Sequence, residues 1–165
     1  MRAFHRLGAA PTARLDVVGS TRLEEPEFLA YLNELEWLTG SDPRTTLHAG
    51  YVSDELFDRW ILASDVVVLP YREIDQSGVL ATALAFGRPL LLTAVGGFPE
   101  VAEARAAELV RPGDAAALHL ALRRLIEDGA RRDALAAGAR EAAATRYSWD
   151  EVAARHLELY ETLVR

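Results

Sequence analysis

The segment from residue 64 to residue 100 constrains the fold more than any other part of the chain. Residues 66–69 form an unbroken apolar run that Pro70 closes, a pattern typical of a strand covered on both faces. After a polar loop, apolar residues recur at helical spacing as far as Gly87, which is suited to end a helix. Residues 90–93 read as a second buried strand. The segment therefore predicts a strand, a helix and a second, parallel strand.

The same alternation continues along the rest of the chain. Strand patterns occur at residues 13–19, 45–48 and 108–111, and residues 1–7 read as the last turns of a helix that Gly8 ends. Helical patterns lie at about residues 26–39, 53–62, 99–104, 115–127, 130–144 and 148–164. Strands that alternate with helices predict an α/β fold with a Rossmann-like parallel sheet flanked by helices. A chain of 165 residues is long enough to form one domain with a sizeable core.

Composition excludes several classes of function. The net charge of −7 disfavours nonspecific binding to nucleic acid or to anionic membranes. The chain has no cysteine, and its four scattered histidines do not form a metal-ligand cluster. No signal peptide or apolar run of membrane-spanning length is found, so we expect a cytoplasmic location. All eighteen basic residues are arginine, which with the abundant alanine indicates a GC-rich, bacterial coding background.

The first turn of the helix after the polar loop predicts an anion site. Ser77 is a favourable N-cap, and Gly78 allows a ligand to approach the backbone closely. The free N–H groups of a first turn and the positive end of the helix dipole attract phosphate. In an open parallel sheet, ligands bind beyond the carboxyl ends of the strands, where this turn is expected. The alternative is an ordinary helix cap with no ligand.

Two motifs in this segment give a more specific indication. ALAFGRP at residues 83–89 and GGFPE at residues 96–100 follow the leucine-proline-tyrosine at the end of the first strand. Their order resembles the donor-binding segment of retaining glycosyltransferases of family 4, which have the two-domain GT-B architecture. The resemblance extends from about Ala13 to the C-terminus. It implies that the chain is the C-terminal, nucleotide-sugar-binding half of such an enzyme, with a nucleoside-diphosphate sugar as donor.

The resemblance also implies roles for residues around the predicted turn. Backbone N–H groups at Ser77, Gly78 and Val79 would contact the donor diphosphate. The family places a catalytic glutamate in the polar loop, near the transferred sugar, and a second glutamate seven residues later that holds the donor ribose. Here the second position is Thr82, and counting back places Ile74 at the first. The catalytic candidates are therefore Glu73 and Asp75, which fit only with a shift of one residue, and Gln76 and Thr82 are donor-binding candidates. The alternative for the loop is a solvated acidic turn.

Further donor contacts are predicted at the ends of the first two strands. Gly19 and Arg22 follow the first strand, where Arg22 is placed to contact phosphate, although a plain surface arginine is the alternative. The resemblance implies that the loop with Tyr51 and Val52 frames the nucleotide base; the alternative is a packed loop. His5 and His48 are interpreted as structural, and Gly96 and Gly97 as a tight backbone turn. No metal or other cofactor is expected, since the chain has no Asp-x-Asp motif.

The resemblance leaves the first strand of the domain unaccounted for. It implies the sheet order 3-2-1-4-5-6, and no segment of residues 1–10 reads as the first strand. Three explanations are open: a fragment, a mis-assigned start, or a strand supplied by another chain. The last helix, at residues 148–164, is expected to pack on a missing N-terminal domain. Without that domain, its face of Val152, His156, Tyr160 and Leu163 packs on this domain or stays exposed, and unpaired strand edges allow oligomers.

Two other functions remain as alternatives. The missing glutamate and missing strand favour a degenerate, non-catalytic donor domain that acts in interaction or regulation. Another Rossmann-like nucleotide binder, such as an epimerase, is disfavoured because the chain has no Gly-x-Gly-x-x-Gly turn. The leading hypothesis is a hexosyltransferase-type half-enzyme that binds its nucleotide sugar weakly and is inactive alone.

Overall fold

The computed structural model describes residues 1–8, 13–19 and 26–164. These residues form five strands and eight helices; strands alternate with helices as far as the fifth strand, and three helices follow, as the sequence predicts. The strands are β1 (Leu15–Gly19), β2 (Thr45–Ala49), β3 (Val67–Leu69), β4 (Leu90–Thr93) and β5 (Ala107–Val110). The helices are α1 (Arg2–His5), α2 (Pro26–Gly40), α3 (Asp54–Ala63), α4 (Gly78–Ala85), α5 (Phe98–Glu103), α6 (Ala115–Glu127), α7 (Gly129–Ala144) and α8 (Trp149–Leu163). The predicted α/β class is confirmed.

All strand pairs within the described residues are parallel, and they fall into two sets. β1 pairs with β2, and a second set follows the order β3–β4–β5. Hydrogen bonds join no described strand of one set to the other. Since β1 and β2 match the expected second and third strands and β3 the fourth, the free edges of β1 and β3 are those expected to flank the first strand.

The core is built on both faces of the β3–β4–β5 set. Leu90, Leu91 and Leu92 of the central strand are completely buried, as the unbroken apolar run predicts. Leu90 and Leu92 pack with residues of α4, α5 and α7 on one face, whereas Leu91 packs with residues of α6 and α7 on the other. Because a strand presents alternate residues to opposite faces, this run holds two helical layers at once. Because β3 pairs with this central strand, the end of β3, where the polar loop begins, is anchored in the core.

Helix α1 connects the two strand sets. Its residues Ala3 and Phe4 are buried, and the Ala3 carbonyl oxygen accepts a hydrogen bond from His119 of α6 over 3.1 Å, for the tautomer with a proton on Nδ1. On its other side, the Arg44 guanidinium lies 5.0 Å from the centre of the Phe4 ring. The Arg44 guanidinium also donates two hydrogen bonds to Asp42, of 3.0 and 2.6 Å, and the Arg44 backbone N–H donates a third. These bonds hold the pKa of the Asp42 carboxyl far below its usual range. The predicted N-terminal helix is confirmed, and it fastens β2 to α6.

Helix α8 lies where the sequence predicts the last helix, begins at a serine cap, and then leaves the body of the domain. The Ser148 hydroxyl accepts a hydrogen bond from the backbone N–H of Glu151 over 3.2 Å. No residue of α8 is buried, and the side chains of Trp149 and Leu163 are 87% and 73% exposed. Of the two arrangements expected for its apolar face, the structure has the exposed one. No helix in the described ranges has both the length and the apolar character to cross a bilayer.

Candidate functional site

The start of α4 is built by a serine cap, as the sequence predicts. Ser77 has an extended backbone, and its hydroxyl oxygen accepts a hydrogen bond from the N–H of Leu80 over 3.2 Å. The N–H groups of Gly78 and Val79 belong to the first turn and have no acceptor within their own helix. Gly78 is exposed, and a Cβ added there would meet no atom within 4 Å. A ligand can therefore approach these two N–H groups from solvent.

The charge around this helix start is unusual within the structure. Five helices have a side-chain cap in the described part of the chain: α3, α4, α6, α7 and α8. The caps of α6 and α7 are aspartates, and the first turns of α3 and α8 contain acidic residues. Among these five, only α4 combines an uncharged cap with a first turn free of acidic residues. The positive end of its dipole is thus left for an external anion.

The loop before α4 contacts the end of β4 and the start of α5. The hydroxyl of the buried Thr93 donates to the Tyr71 carbonyl oxygen over 2.6 Å, and the Tyr71 and Phe98 rings lie 5.8 Å apart. Ile74 packs against the core, whereas Glu73 and Asp75 on either side of it are exposed. The position that counting assigns to the family's glutamate therefore faces inward. Both carboxylates beside it remain candidates, as does the exposed Gln76.

Thr82 has one of its hydrogen-bonding functions occupied. Its hydroxyl donates to the Gly78 carbonyl oxygen over 3.2 Å, one turn back in α4. The hydroxyl oxygen keeps lone pairs that a sugar hydroxyl can donate to, but it offers no carboxylate charge. The structure thus gives Thr82 a contact within its own helix, and its donor contact stays a prediction.

The other predicted contacts lie at the carboxyl ends of β1 and β2. The Gly19 carbonyl oxygen accepts a hydrogen bond from the Gly50 N–H over 3.0 Å, so these two ends are adjacent. Tyr51 is 87% exposed and free to stack on a ring, while Val52 is half-buried. Arg22 lies outside the described residues, as does the neighbouring Ser20.

The histidine at the end of β2 makes structural contacts. His48 Nε2 lies 3.0 Å from Asp16 Oδ1, and the imidazole centre is 4.4 Å from the Trp60 ring. These contacts give the histidine a structural role, because its ring packs on an aromatic side chain and pairs with a residue of β1. Within the described ranges, no group of three or more metal-ligating side chains occurs.

Sequence reasoning missed the supports of the polar loop. The hydroxyl of Thr93 at the end of a buried strand is a signal in the sequence, because a buried hydroxyl needs a hydrogen-bond partner. Gly96 does more than permit a turn, since a Cβ at this residue would overlap the Ile74 carbonyl oxygen. The letters Ser-Gly-Val-Leu also show that the first turn of α4 has no charge.

A family profile described as glycosyl transferases group 1 matches residues 1–128. The chain belongs to this family. It is 37% identical over 142 residues to a D-inositol 3-phosphate glycosyltransferase of Nocardioides, an alignment that covers 84% of this chain and 31% of that protein. A second protein of that name, from Xylanimonas cellulosilytica, is 36% identical over 89% of this chain.

Solved glycosyltransferases share the fold. Anabaena HepE, solved with UDP and with UDP-glucose, aligns with a TM-score of 0.77 at 21% identity, covering 99% of this chain and 43% of HepE. The C-terminal domain of a group 1 glycosyltransferase from Francisella tularensis, LpcC, aligns with a TM-score of 0.73 at 22% identity, covering 89% of this chain and 76% of that domain. The chain spans about a third of the length of the curated relatives it matches. Its fold is that of the C-terminal half of a GT-B enzyme.

Proposed function

We propose that this chain is the nucleotide-sugar-binding half of a retaining group 1 glycosyltransferase of hexosyltransferase type, and that the start of α4 binds the diphosphate of its donor. The observation that carries the proposal is the open, uncharged N-terminus of α4, which follows the end of β3. Anabaena HepE shares the fold and was solved with UDP-glucose, which supports the same class of ligand. The donor base, the sugar and the acceptor are left open.

The helix start has a direct part in this chemistry. As the bond between the sugar and the diphosphate breaks, negative charge grows on the leaving phosphate oxygens. Backbone N–H groups at Gly78 and Val79, fixed in place before the reaction, stabilise that charge without reorganising. The Ser77 cap keeps the first turn formed and leaves these two groups pointing outward. The proposal assigns the phosphate charge to these groups and to basic residues of the complete enzyme, without a metal ion.

The remaining candidates are assigned by their position around α4. Glu73, Asp75 and Gln76 stand on the loop that precedes the helix and are proposed to face the transferred sugar, with Thr82 accepting from the ribose. At the ends of β1 and β2, the proposed phosphate contacts are Gly19 and Arg22, and the proposed base contacts are Tyr51 and Val52. These assignments divide the donor into a phosphate part, held by the backbone at the start of α4 with Arg22, and a sugar part, held by side chains of the loop.

The rest of the enzyme is proposed to lie against α8. Residues 1–165 form one domain in this proposal, and the chain corresponds to about a third of the length of its curated relatives. An N-terminal GT-B domain that covers the exposed apolar face of α8 would complete the donor cleft and bind the acceptor. The chain alone is therefore expected to bind donor weakly and to transfer no sugar.

Titration calorimetry with UDP, UDP-glucose and GDP-sugars tests the proposal. We expect one nucleotide series to bind and Gly78→Trp to weaken that binding at least about 100-fold, because the indole fills the space over the free N–H groups; that is about 2.7 kcal/mol. Gly129→Trp is the matched control, since Gly129 also opens a helix and has free space at its Cβ apart from the flexible end of Arg132. Its binding should stay within about twofold of wild type.

Three outcomes would contradict the proposal or part of it. A folded wild-type chain that binds no nucleotide sugar at millimolar concentration would leave the non-catalytic alternative in its place. Release of UDP that depends on an acceptor, catalysed by the isolated chain, would contradict the claim that it is half of an enzyme. A loss of binding in Gly129→Trp as large as that in Gly78→Trp would move the site away from α4.

A further inference from the structure

The loop over residues 71–76 is held at its start by a buried hydroxyl. Thr93 is only 3% exposed, and its Oγ1 lies 2.6 Å from the Tyr71 carbonyl oxygen and 3.4 Å from that of Leu69. One hydroxyl thus donates to the carbonyl oxygens of the last residue of β3 and of the first residue of the loop. Removing this hydroxyl would take from the Tyr71 carbonyl oxygen the donor that β4 supplies. The exit of the chain from β3 is therefore fixed by a side chain of β4.

The middle of the loop is held by a glycine. Gly96 has a φ of +50°, in the left-handed region, and a Cβ added to it would overlap the Ile74 carbonyl oxygen. Ile74 itself packs its side chain against the core. Backbone and side chain of this residue are thus both confined, from two directions. The loop cannot slide by one residue without turning Ile74 out of the core.

This confinement decides where the two carboxylates lie. With Ile74 directed inward, Glu73 and Asp75 are both exposed. A slide that carried either of them to the position of Ile74 would bury a carboxylate against an apolar cluster, which is costly without a partner. The register that leaves both acids outward is therefore the one that the turn after β4 enforces.

We propose that Thr93 and Gly96 are positioning residues, which act through Ile74 to hold Glu73 and Asp75 toward the sugar of the bound donor. The inference rests on the proposed function for the ligand, but the clamp itself is a property of the fold. The start of α4 has its own support, because Ser77 caps it locally. Loosening the clamp should thus weaken the hold on the sugar and spare the diphosphate.

Gly96→Ala tests the clamp, with Gly97→Ala as its matched neighbour. Gly97 has a φ of −79°, and a Cβ there meets no atom within 4 Å. We expect the backbone order parameters of residues 72–76 to fall from about 0.85 to below about 0.6 in Gly96→Ala and to stay unchanged in Gly97→Ala. The affinity for UDP-glucose should fall about tenfold in Gly96→Ala, while that for UDP stays within about twofold.

A second glycine separates loss of the clamp from general strain. Gly113 has a φ of +76° and open space at its Cβ, so Gly113→Ala brings left-handed strain without a clash. We expect it to lower the melting temperature and to leave the ratio of UDP-glucose to UDP affinity unchanged. The same fall in that ratio for Gly113→Ala and Gly96→Ala would overturn the inference, because strain alone would then explain it.

Thr93 gives an independent test that creates no clash. Thr93→Val keeps the shape of the side chain and removes the hydroxyl, and Thr93→Ser restores the donor. We expect Thr93→Val to reduce the affinity for UDP-glucose about fivefold relative to that for UDP, and Thr93→Ser to recover most of this loss. No recovery by serine would show that packing, and not the hydrogen bond, accounts for the effect.

The clamp and the proposed function fail in different ways. A wild-type chain that binds neither UDP nor UDP-glucose contradicts the proposed function, while the order parameters of residues 72–76 still decide whether Gly96 holds the loop. A wild-type chain that binds UDP-glucose no more tightly than UDP contradicts the placement of the sugar at this loop. Order parameters unchanged in Gly96→Ala contradict the clamp itself.

Discussion

Two helices of this domain begin in nearly the same way and are suited to different tasks. α3 follows β2 and α4 follows β3, each starts after a serine, and each serine hydroxyl accepts a hydrogen bond three residues on, of 3.4 Å from Leu56 N and 3.2 Å from Leu80 N. The first turn of α3 then contains Asp54 and Glu55, whereas that of α4 contains no acidic residue. The two helix starts thus share the same backbone geometry. The charge of the first turn determines whether an external anion can bind there.

The two helices also differ in how their first turns are supported. Val79 and Leu80 of α4 pack against the core, whereas Asp54 and Glu55 of α3 are exposed and Ile61 is the one buried residue of that helix. α4 therefore presents its N–H groups from a fixed support, and α3 satisfies the positive end of its dipole with its own carboxylates in water. The two carboxylates in the first turn of α3 therefore disfavour an external anion at that helix start.

Among the variants that test this comparison, an acidic residue in the first turn of α4 should have the largest effect on UDP affinity. We expect Gly78→Asp to weaken UDP binding about tenfold, because a carboxylate beside the diphosphate repels it and competes for the dipole. Gly78→Asn has nearly the same shape without the charge, and it should lose at most about threefold. Calorimetric titration with UDP at low salt compares them. Equal losses for the two variants would mean that shape, and not charge, distinguishes the two helices.

Removing each serine cap separates stability from binding. Ser77→Ala and Ser53→Ala should each lower the free energy of unfolding by about 1 kcal/mol, measured in urea, because each cap satisfies one backbone donor. Only Ser77→Ala is expected to weaken UDP binding, by about threefold, through a frayed first turn. If Ser53→Ala weakened UDP binding to the same degree, the diphosphate would have to contact both helices.

Removing the acidic charges of α3 should have the smallest effect on UDP affinity, and it tests the comparison at the other helix. The double variant Asp54→Asn with Glu55→Gln should lower the free energy of unfolding by about 0.5 kcal/mol for each charge removed. UDP affinity should stay within about twofold, and calorimetry should still give one site per chain. A second site of similar affinity would show that an uncharged first turn is sufficient, whatever supports it.

The parts of the fold that the sequence predicted are those with a strong local signal. The run Leu90 to Leu92 has no polar interruption, so its burial on both faces could be inferred, and Ser77 caps its helix as predicted. Ser53 and Ser148 cap their helices by the same local contact. A cap depends on a few neighbouring residues, and a buried strand depends on its own composition. Both are therefore readable without knowledge of the rest of the molecule.

The polar loop could not be predicted in the same way. No periodicity shows which residue of Glu73, Ile74 and Asp75 faces inward, because a loop of this length has no repeating geometry. The answer depends on Thr93 and Gly96, which lie about twenty residues further along the chain and touch the loop only after the sheet has formed. The orientation of the candidate catalytic residues is thus a tertiary property, even though their neighbours Ser77 and Gly78 are defined locally.

The exposed α8 has a thermodynamic consequence for any partner that covers it. Fifteen residues is close to the length at which a helix without tertiary contacts is only marginally formed in water, and α8 has local support from its Ser148 cap and the Glu151–Arg155 ion pair. Part of the population should therefore have this helix frayed at any moment. A partner that binds its apolar face must also order it, so association should show a larger negative heat-capacity change, and a weaker affinity, than the contact area alone suggests.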